Sequence, residues 1–204
     1  KPQHDTGAVA ILLGRLRHMP IKFAFMGFRH GHIRTLYKRV LEREVEGIEL
    51  SAACEEDEAA RGEAESKGVQ ITHSGFEEML AYVACDVVAI GDWFGRRGSL
   101  AIQALSKGKH VISDKPICTD LDELDEIERL ARVHDLKVGC MLTLRDQPYV
   151  IGARNLIRDG DIGPIHAIAF GGQHPLNLDS RPAWYFEPGK HGGTIGDVGI
   201  HALD

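Results

Sequence analysis

From Ile21 onward the chain alternates between short apolar runs of strand length and longer segments with apolar residues three and four apart. IKFAFM (residues 21–26) reads as a buried strand, Gly27-Phe28-Arg29-His30-Gly31 as a tight turn, and His32 to about Glu44 as a helix. GIELSAAC (47–54) reads as the second strand, Glu56 to Lys67 as a helix stopped by Gly68, and Val69 to Thr72 as a short third strand. Ser74, with Glu77 three residues on, has the form of a capping box for a helix through about Tyr82. CDVVAIG (85–91) is the fourth strand, Asp92 to Gly98 a loop, and SLAIQALSKG (99–108) an amphipathic helix with a glycine stop. His110, Val111 and Ile112 form the fifth strand, ended abruptly by Asp114-Lys115-Pro116. Thr119 or Asp120 caps a helix in which Leu121, Leu124, Ile127, Leu130 and Ala131 keep helical spacing, and LKVGCMLTL (136–144) closes the series as a sixth strand. Strands alternating with helices predict an α/β fold: a doubly wound, mainly parallel Rossmann sheet with helices on both faces and right-handed crossovers.

After Arg145 the rhythm changes. Gln147 to Asp159 reads as a helix, residues 160–164 as a turn, Ile165 to Phe170 as a strand of alternating polarity, and the following loop carries His174, Arg181, Trp184 and Tyr185. The expected division is an extension outside the pattern (1–18), a Rossmann domain (19–143) and the beginning of a second, α+β domain (144–204). The extension contains AVAILL (8–13), which is short for a signal-peptide core and has no small-residue cleavage site leading into Met19. The last segment runs off in what reads as a helix, so a longer natural chain is expected.

Composition narrows the class of partner. Hydrophobic residues make up 43% and charged residues 26%, which suits a globular chain, and no apolar run is long enough to span a bilayer. A net charge of -6 without a basic cluster argues against a nucleic-acid surface and favours small molecules. Cys54, Cys85, Cys118 and Cys140 are widely spaced with no CxxC pair, which fits a reducing compartment and a cytoplasmic location.

Two places carry candidate chemistry. Ligands in open α/β sheets bind outside the carboxyl ends of the strands, where Asp114 and Lys115 would stand, with Lys115 held extended by Pro116. The same three residues also suit a plain polar turn into the next helix. At the first turn, backbone N–H groups and the positive helix end suit a pyrophosphate, although only Gly27 and Gly31 are present where the full fingerprint has three glycines. Arg29 and His30 there either contact phosphate or are solvated turn residues. Glu55 ends the second strand where an acid binding a ribose 2′-hydroxyl is expected, and with no Arg or Lys adjacent in sequence it favours NAD over NADP.

Taken together, Gly27 to His32 after a first strand, GKHVISDKP (108–116), RDGDIGPI (158–165) and GGTIGDVGIHALD (192–204) resemble the NAD(P)-dependent sugar and polyol dehydrogenases of the Gfo/Idh/MocA family, in the family's order from Ile21 to Asp204. Asp114 stands where members usually carry Glu. Asp92, Trp93, Phe94 and Arg97 occupy the region of a threonine-proline-asparagine type loop with a histidine. The resemblance implies an NAD cofactor held by Gly27, Phe28, Arg29, His30, Gly31, His32, Glu55, Gly91, Asp92, Asp114 and Lys115. It implies a catalytic group of Lys115, Asp197 and His201, a cis Lys115–Pro116 bond and a sugar- or polyol-like substrate. It also implies a second domain whose open antiparallel sheet covers the cofactor and often mediates homo-oligomerisation.

The chemistry of these residues agrees with that set. Asp197 and His201, four apart, share one face of a helix. His201 suits a hydroxyl proton, Lys115 the developing negative charge, and Asp197 the orientation of substrate or imidazole. Gly192, Gly193, Gly196 and Gly199 leave the backbone bare for a flat ring. Asp197, His201 and nearby His191 also suit a metal half-site, but no third ligand has convincing spacing, so no metal is expected. His110, His166 and His174 read as turn or core residues, and Trp184 and Tyr185 as a sugar-stacking wall or aromatic core. A sensor that binds NAD(P) without turnover, and a hydrolase or lyase that uses held NAD, are the other functional classes.

Overall fold

The computed structural model describes residues 19–171 and 175–204. Its centre is a parallel sheet of five strands, β1 (Ile21–Met26), β2 (Ile48–Cys54), β3 (Val87–Ile90), β4 (His110–Asp114) and β5 (Val138–Met141), in the order β2-β1-β3-β4-β5. The helices between them are α1 (Gly31–Leu41), α2 (Glu58–Ser66), α3 (Phe76–Tyr82), α4 (Phe94–Ser106) and α5 (Leu121–Val133).

Period-two alternation sorts the buried strand residues onto two faces. Ala24, Met26, Val88 and Ile90 meet Leu100, Ala104 and Leu105 of α4 and Ile127 and Leu130 of α5. Phe25, Ala53 and Ala89 meet Ile33, Tyr37 and Val40 of α1 and Ala64 of α2. Both faces are covered, which is why these strands read as continuous apolar runs. The strand order reverses at β1, whose neighbours are β2 and β3, and the crevice beyond that point is where such sheets bind ligands.

Several expectations need correction. Val69 to Thr72 is not a strand, and the sheet has five strands rather than six. The Thr72 hydroxyl accepts from Ala53 N–H at 3.0 Å while Thr72 and His73 both donate to the Ala53 carbonyl, so a side chain takes a place that a ladder partner would fill. Only a single bridge, Cys54 to His73, remains. Gly75, not Ser74, precedes α3, and the first amide of that helix, Phe76 N–H, donates to the distant Glu56 carboxylate at 2.8 Å. The loop expected over Asp92 to Gly98 is largely helix, because α4 begins at Phe94, where Phe94 and Arg97 are both buried completely. β5 is four residues long, and Thr143–Asp146 is a short 3-10 turn.

Beyond that turn lie α6 (Pro148–Asp159), closed by Gly160 in the left-handed conformation, a 3-10 turn at Ala183–Phe186, a π-helical turn at Ile195–Gly199 and α7 (Ile200–Leu203). The strand expected over Ile165 to Phe170 does not form. It has no pairing partner among the described residues, and Ile168 and Phe170 stay exposed. This part of the chain is anchored to the Rossmann domain through α4: Trp184 packs edge-on against Phe94 at 5.3 Å, and Gly95 N–H donates to the Lys190 carbonyl. Trp184 therefore packs on the first domain rather than within a core of its own. Residues 1–18, with the AVAILL run, and His174 lie outside the described residues.

Candidate active site

At the switch point the turn after β1 is held by the turn after β3. Gly91 N–H donates to the Met26 carbonyl and Arg29 N–H to the Gly91 carbonyl, both at 2.9 Å. Gly27 has φ +77°, and a Cβ on it would lie 2.6 Å from the Asp92 amide nitrogen; a Cβ on Gly91 would lie 2.3 to 2.5 Å from atoms of Ile33. Both positions admit only glycine for steric reasons. Gly27→Ala is thus expected to lower both melting temperature and dinucleotide affinity, whereas Gly31→Ala, whose Cβ would meet nothing within 4 Å, should leave the fold intact; thermal melts and calorimetry on the two variants check this.

Phe28 is a core residue, its ring stacked on Phe25 and edge-on to Tyr37. Its amide donates to Glu55 Oε2 at 3.1 Å. Glu55 has no exposed surface, and its other oxygen accepts from Arg29 Nη2 and Asp57 N–H, both at 3.2 Å. Burial pushes the Glu55 carboxyl up from its ordinary value, against the pull of Arg29. In this arrangement Glu55 braces the turn from within, and Asp57, half exposed beside Arg29, is the acid that lines the groove outside. Although no Arg or Lys adjoins Glu55 in sequence, Arg29 adjoins it in space. Arg29 also lies 3.5 Å from Asp92 and over the Trp93 ring at 4.8 Å. Asp92 is fully buried and takes Arg96 Nη1 at 2.9 Å.

His30 caps α1, Gly31 is its first residue, and the N–H groups of these two have no partner among the described residues. Across the crevice Asp114 ends β4 with no exposure. His30 Nδ1 lies 2.8 Å from its Oδ2 and His32 Nδ1 3.1 Å from its Oδ1. The two nearby imidazoles and the charge of Arg97 outweigh burial and hold this carboxyl far below the usual range.

Lys115 follows, its bond to Pro116 cis. Its Nζ, nearly buried, donates to Asp197 Oδ1 at 2.6 Å and to the Asp197 carbonyl at 2.5 Å. Asp197 is the hub of a larger group. The Tyr185 hydroxyl donates to Oδ2, and His191 Nε2 lies 3.4 Å from the same oxygen. Burial raises the Asp197 carboxyl, but its bonds to Lys115 and Tyr185 prevail and hold it well below the ordinary value. Burial and the Asp197 charge push the Tyr185 phenol up to about 12. His201 follows a π-helical turn rather than a regular α-helix, and its buried Nδ1 has no hydrogen-bond partner among the described residues. Burial, with the positive charges of Lys115 and His32, lowers its pKa below the ordinary imidazole value.

The structure thus joins Lys115 directly to Asp197, sets His201 in their electrostatic field, and brings Gly27 to His32, Gly91, Asp92 and Asp114 together at the carboxyl ends of β1, β3 and β4. Sequence reasoning missed Tyr185 as a partner of Asp197, and Arg97. The fully buried Arg97 guanidinium donates to the carbonyls of Asp92, Lys115 and Pro116. An arginine in a polar-looking stretch gives no sign of burial, and Tyr185 was legible only as part of a sugar-stacking wall or an aromatic core.

A parallel sheet with a glycine turn at its switch point defines a Rossmann-type dinucleotide-binding domain, and the buried Lys115–Asp197 pair stands at the neighbouring strand end. The chain belongs to the Gfo/Idh/MocA oxidoreductase family. The model described as "Oxidoreductase family, NAD-binding Rossmann fold" matches residues 21–141, and that of the GFO/IDH/MocA C-terminal domain matches residues 150–204. The chain is 28% identical over 144 residues to the 1,5-anhydro-D-fructose reductase of Ensifer adhaerens, covering 69% of this chain and 42% of that one. Among solved structures it resembles apo scyllo-inositol dehydrogenase from Lactobacillus casei at 26% identity with a TM-score of 0.61, covering 72% of this chain and 43% of the other. An NAD-binding protein from Listeria innocua shares the fold with a TM-score of 0.68 at 22% identity, over 90% of this chain and 52% of the other. The chain spans less than half the length of the curated relatives it matches. Among the described residues no helix is long and apolar enough to cross a membrane.

Proposed function

We propose that the protein is an NAD-dependent oxidoreductase acting on a CH–OH group of a sugar, polyol or related compound. The observation that carries this reading is the Lys115–Asp197 pair, buried at the β4 end with its charges acting on His201.

The residues present fit the cofactor. The unpartnered His30 and Gly31 amides at the start of α1 suit a pyrophosphate, and the open space beside Gly31 leaves room for it. Bound nicotinamide supplies a hydride acceptor and donor. The chain's own residues handle the proton and the charge. In oxidation of the alcohol, neutral His201 accepts the hydroxyl proton as the hydride leaves the same carbon, and Lys115 hydrogen-bonds that oxygen as charge develops. Asp197 holds the lysine in place, and Tyr185 holds Asp197. Because the His201 pKa is lowered, its basic form persists through neutrality. The acid limb of kcat/KM is expected below pH 6.5, the ordinary imidazole value, and a pH-rate profile checks it.

Two carboxylates, Glu55 and Asp57, face the Arg29 guanidinium at the end of β2, and this balance favours NAD over its 2′-phosphate analogue. Calorimetry with both cofactors tests the preference, and absorbance of reduced nicotinamide across a polyol and sugar panel tests the activity. Tighter binding of NADP would overturn the first, and a chain that binds NAD yet turns over no member of the panel would favour a sensor.

A further inference from the structure

We propose that His30, His32 and Asp114 form a binding site for a divalent transition-metal ion of the zinc type. The inference goes beyond the oxidoreductase reading and does not depend on it. Nitrogen atoms of both imidazoles and a carboxylate oxygen of Asp114 all lie within 4.8 Å of one another. His30 Nδ1 lies 2.8 Å from Oδ2 and His32 Nδ1 3.1 Å from Oδ1, slightly inside the edges of about 3.3 to 3.6 Å between ligands of a tetrahedral ion bonded at about 2.0 to 2.2 Å, so an ion would spread these donors a little.

Three features separate this cluster from a solvated polar patch. Asp114 has no exposed surface, and its Oδ2 is without a hydrogen-bond partner despite the 2.8 Å approach of His30. His30 Nδ1 is also the acceptor for His32 N–H at 3.5 Å, and in the tautomer that accepts there it carries no proton to give Oδ2, so a cation is what would join the two. The ligands stand on fixed supports: His30 caps α1, His32 lies in its first turn, and Asp114 is tied into the sheet through β4.

The donor set fits the ion. Two imidazole nitrogens and one carboxylate are the composition of three-ligand zinc sites that keep a fourth position open. Here the imidazoles are 22% and 39% exposed, so the cluster is reached from solvent and a fourth position can take water or a small molecule. Behind Asp114, Arg97 Nη2 lies 3.8 Å from Oδ2 and supplies the one opposing charge on the buried side. Lys115 Nζ is turned away and engaged by Asp197, so it does not compete for the carboxylate.

The test uses the full chain stripped with a chelator and titrated with Zn²⁺ by calorimetry and with Co²⁺ by visible absorption. The expected result is one ion per chain, with a Co²⁺ spectrum of low coordination number and a melting temperature raised by Zn²⁺. His32→Gln should weaken Zn²⁺ binding at least tenfold and the His30→Gln/His32→Gln pair should abolish it, while His134→Gln, at the exposed end of α5, should bind as the parent does. Circular dichroism verifies the fold of each variant. If the double variant does not fold, the more exposed His32→Gln decides alone. Absence of a stoichiometric site, or binding undiminished in a folded His32→Gln variant, would overturn the proposal and leave a hydrogen-bonded His–Asp–His cluster. NAD affinity of the metal-free chain, measured separately, shows that failure here is not failure of the cofactor reading.

Discussion

Lys115→Met is expected to lower kcat by about 10² to 10⁴, the range for a lost group that handles proton or charge in the transition state, while leaving NAD affinity nearly unchanged. Met keeps the length of the side chain and removes only its charge and donors. The Lys115 ammonium donates twice to Asp197, so the substitution leaves a buried carboxylate with only the Tyr185 hydroxyl and His191 as partners. Breaking one side of a buried pair costs roughly 3 to 5 kcal/mol, so the variant should also melt at a lower temperature. The sign with pH follows from Asp197. Its folded pKa is depressed, so its contribution is present above the unfolded carboxyl value of about 3.9 and disappears as pH falls through the folded value. In Lys115→Met this acid-labile contribution should shrink. His201→Asn should lower kcat similarly with little change in melting temperature, and the double variant should be scarcely worse than either single one, because residues acting as a unit are not additive. Steady-state kinetics with thermal melts separates the roles. A Lys115→Met enzyme that melts early yet turns over at the parental rate would make the pair structural.

What was legible in the sequence was set by local periodicity. β1, β3 and β4 are buried on both faces, so their apolar runs stand out from the amphipathic helices between them. Lys115 was legible because a strand, a charged pair and a proline follow one another directly. Where the chain depends on a partner far away in sequence, periodicity carries no signal. Val69 to Thr72 has strand composition, but the Thr72 hydroxyl and amide go to Ala53 while the Val69 and Gln70 amides go to the Ala64 carbonyl and the Tyr37 hydroxyl, without building a ladder. Ile165 to Phe170 has strand alternation without a neighbouring strand among the described residues. Ser74 and Glu77 have capping-box spacing, yet Glu56, twenty residues from Phe76, takes the first amide. The candidate site divides in the same way. Asp197 was implied by the family resemblance, with its spacing from His201 in agreement, whereas its contacts to Lys115 and Tyr185 are ones that no spacing rule connects. Glu55 was placed correctly at the end of β2, but its burial, and the Arg29 that covers it, follow from how the turn folds back.

Arg97→Leu is expected to destabilise the chain by about 3 to 5 kcal/mol, because it removes one member of a buried charge pair and leaves polar groups unpaired. The arginine is wholly buried, and burial pushes its pKa down, against the charges of Asp114 and other acids nearby. Its Nε donates to the Asp92 carbonyl at 2.7 Å, and its Nη1 to the Lys115 carbonyl at 2.6 Å and the Pro116 carbonyl at 3.3 Å. One planar fork therefore ties the turn after β3 to the turn after β4, and it lies against the Phe94 ring at 4.5 Å. An ammonium cannot span those carbonyls from one point, so Arg97→Lys should recover only part of the loss. The consequence for the site is positional. With the fork gone, the Lys115 backbone loses its tether, and Lys115 and Asp114 shift relative to the glycine turn that Asp92 also braces. In Arg97→Lys, which should fold, kcat should fall more than KM rises, since the substrate contacts remain while the alignment of Lys115 is lost. Denaturant melts give the stability cost, and kcat and KM measured on the lysine variant give the positioning role. A variant that loses stability but keeps the parental kcat would confine Arg97 to holding the fold.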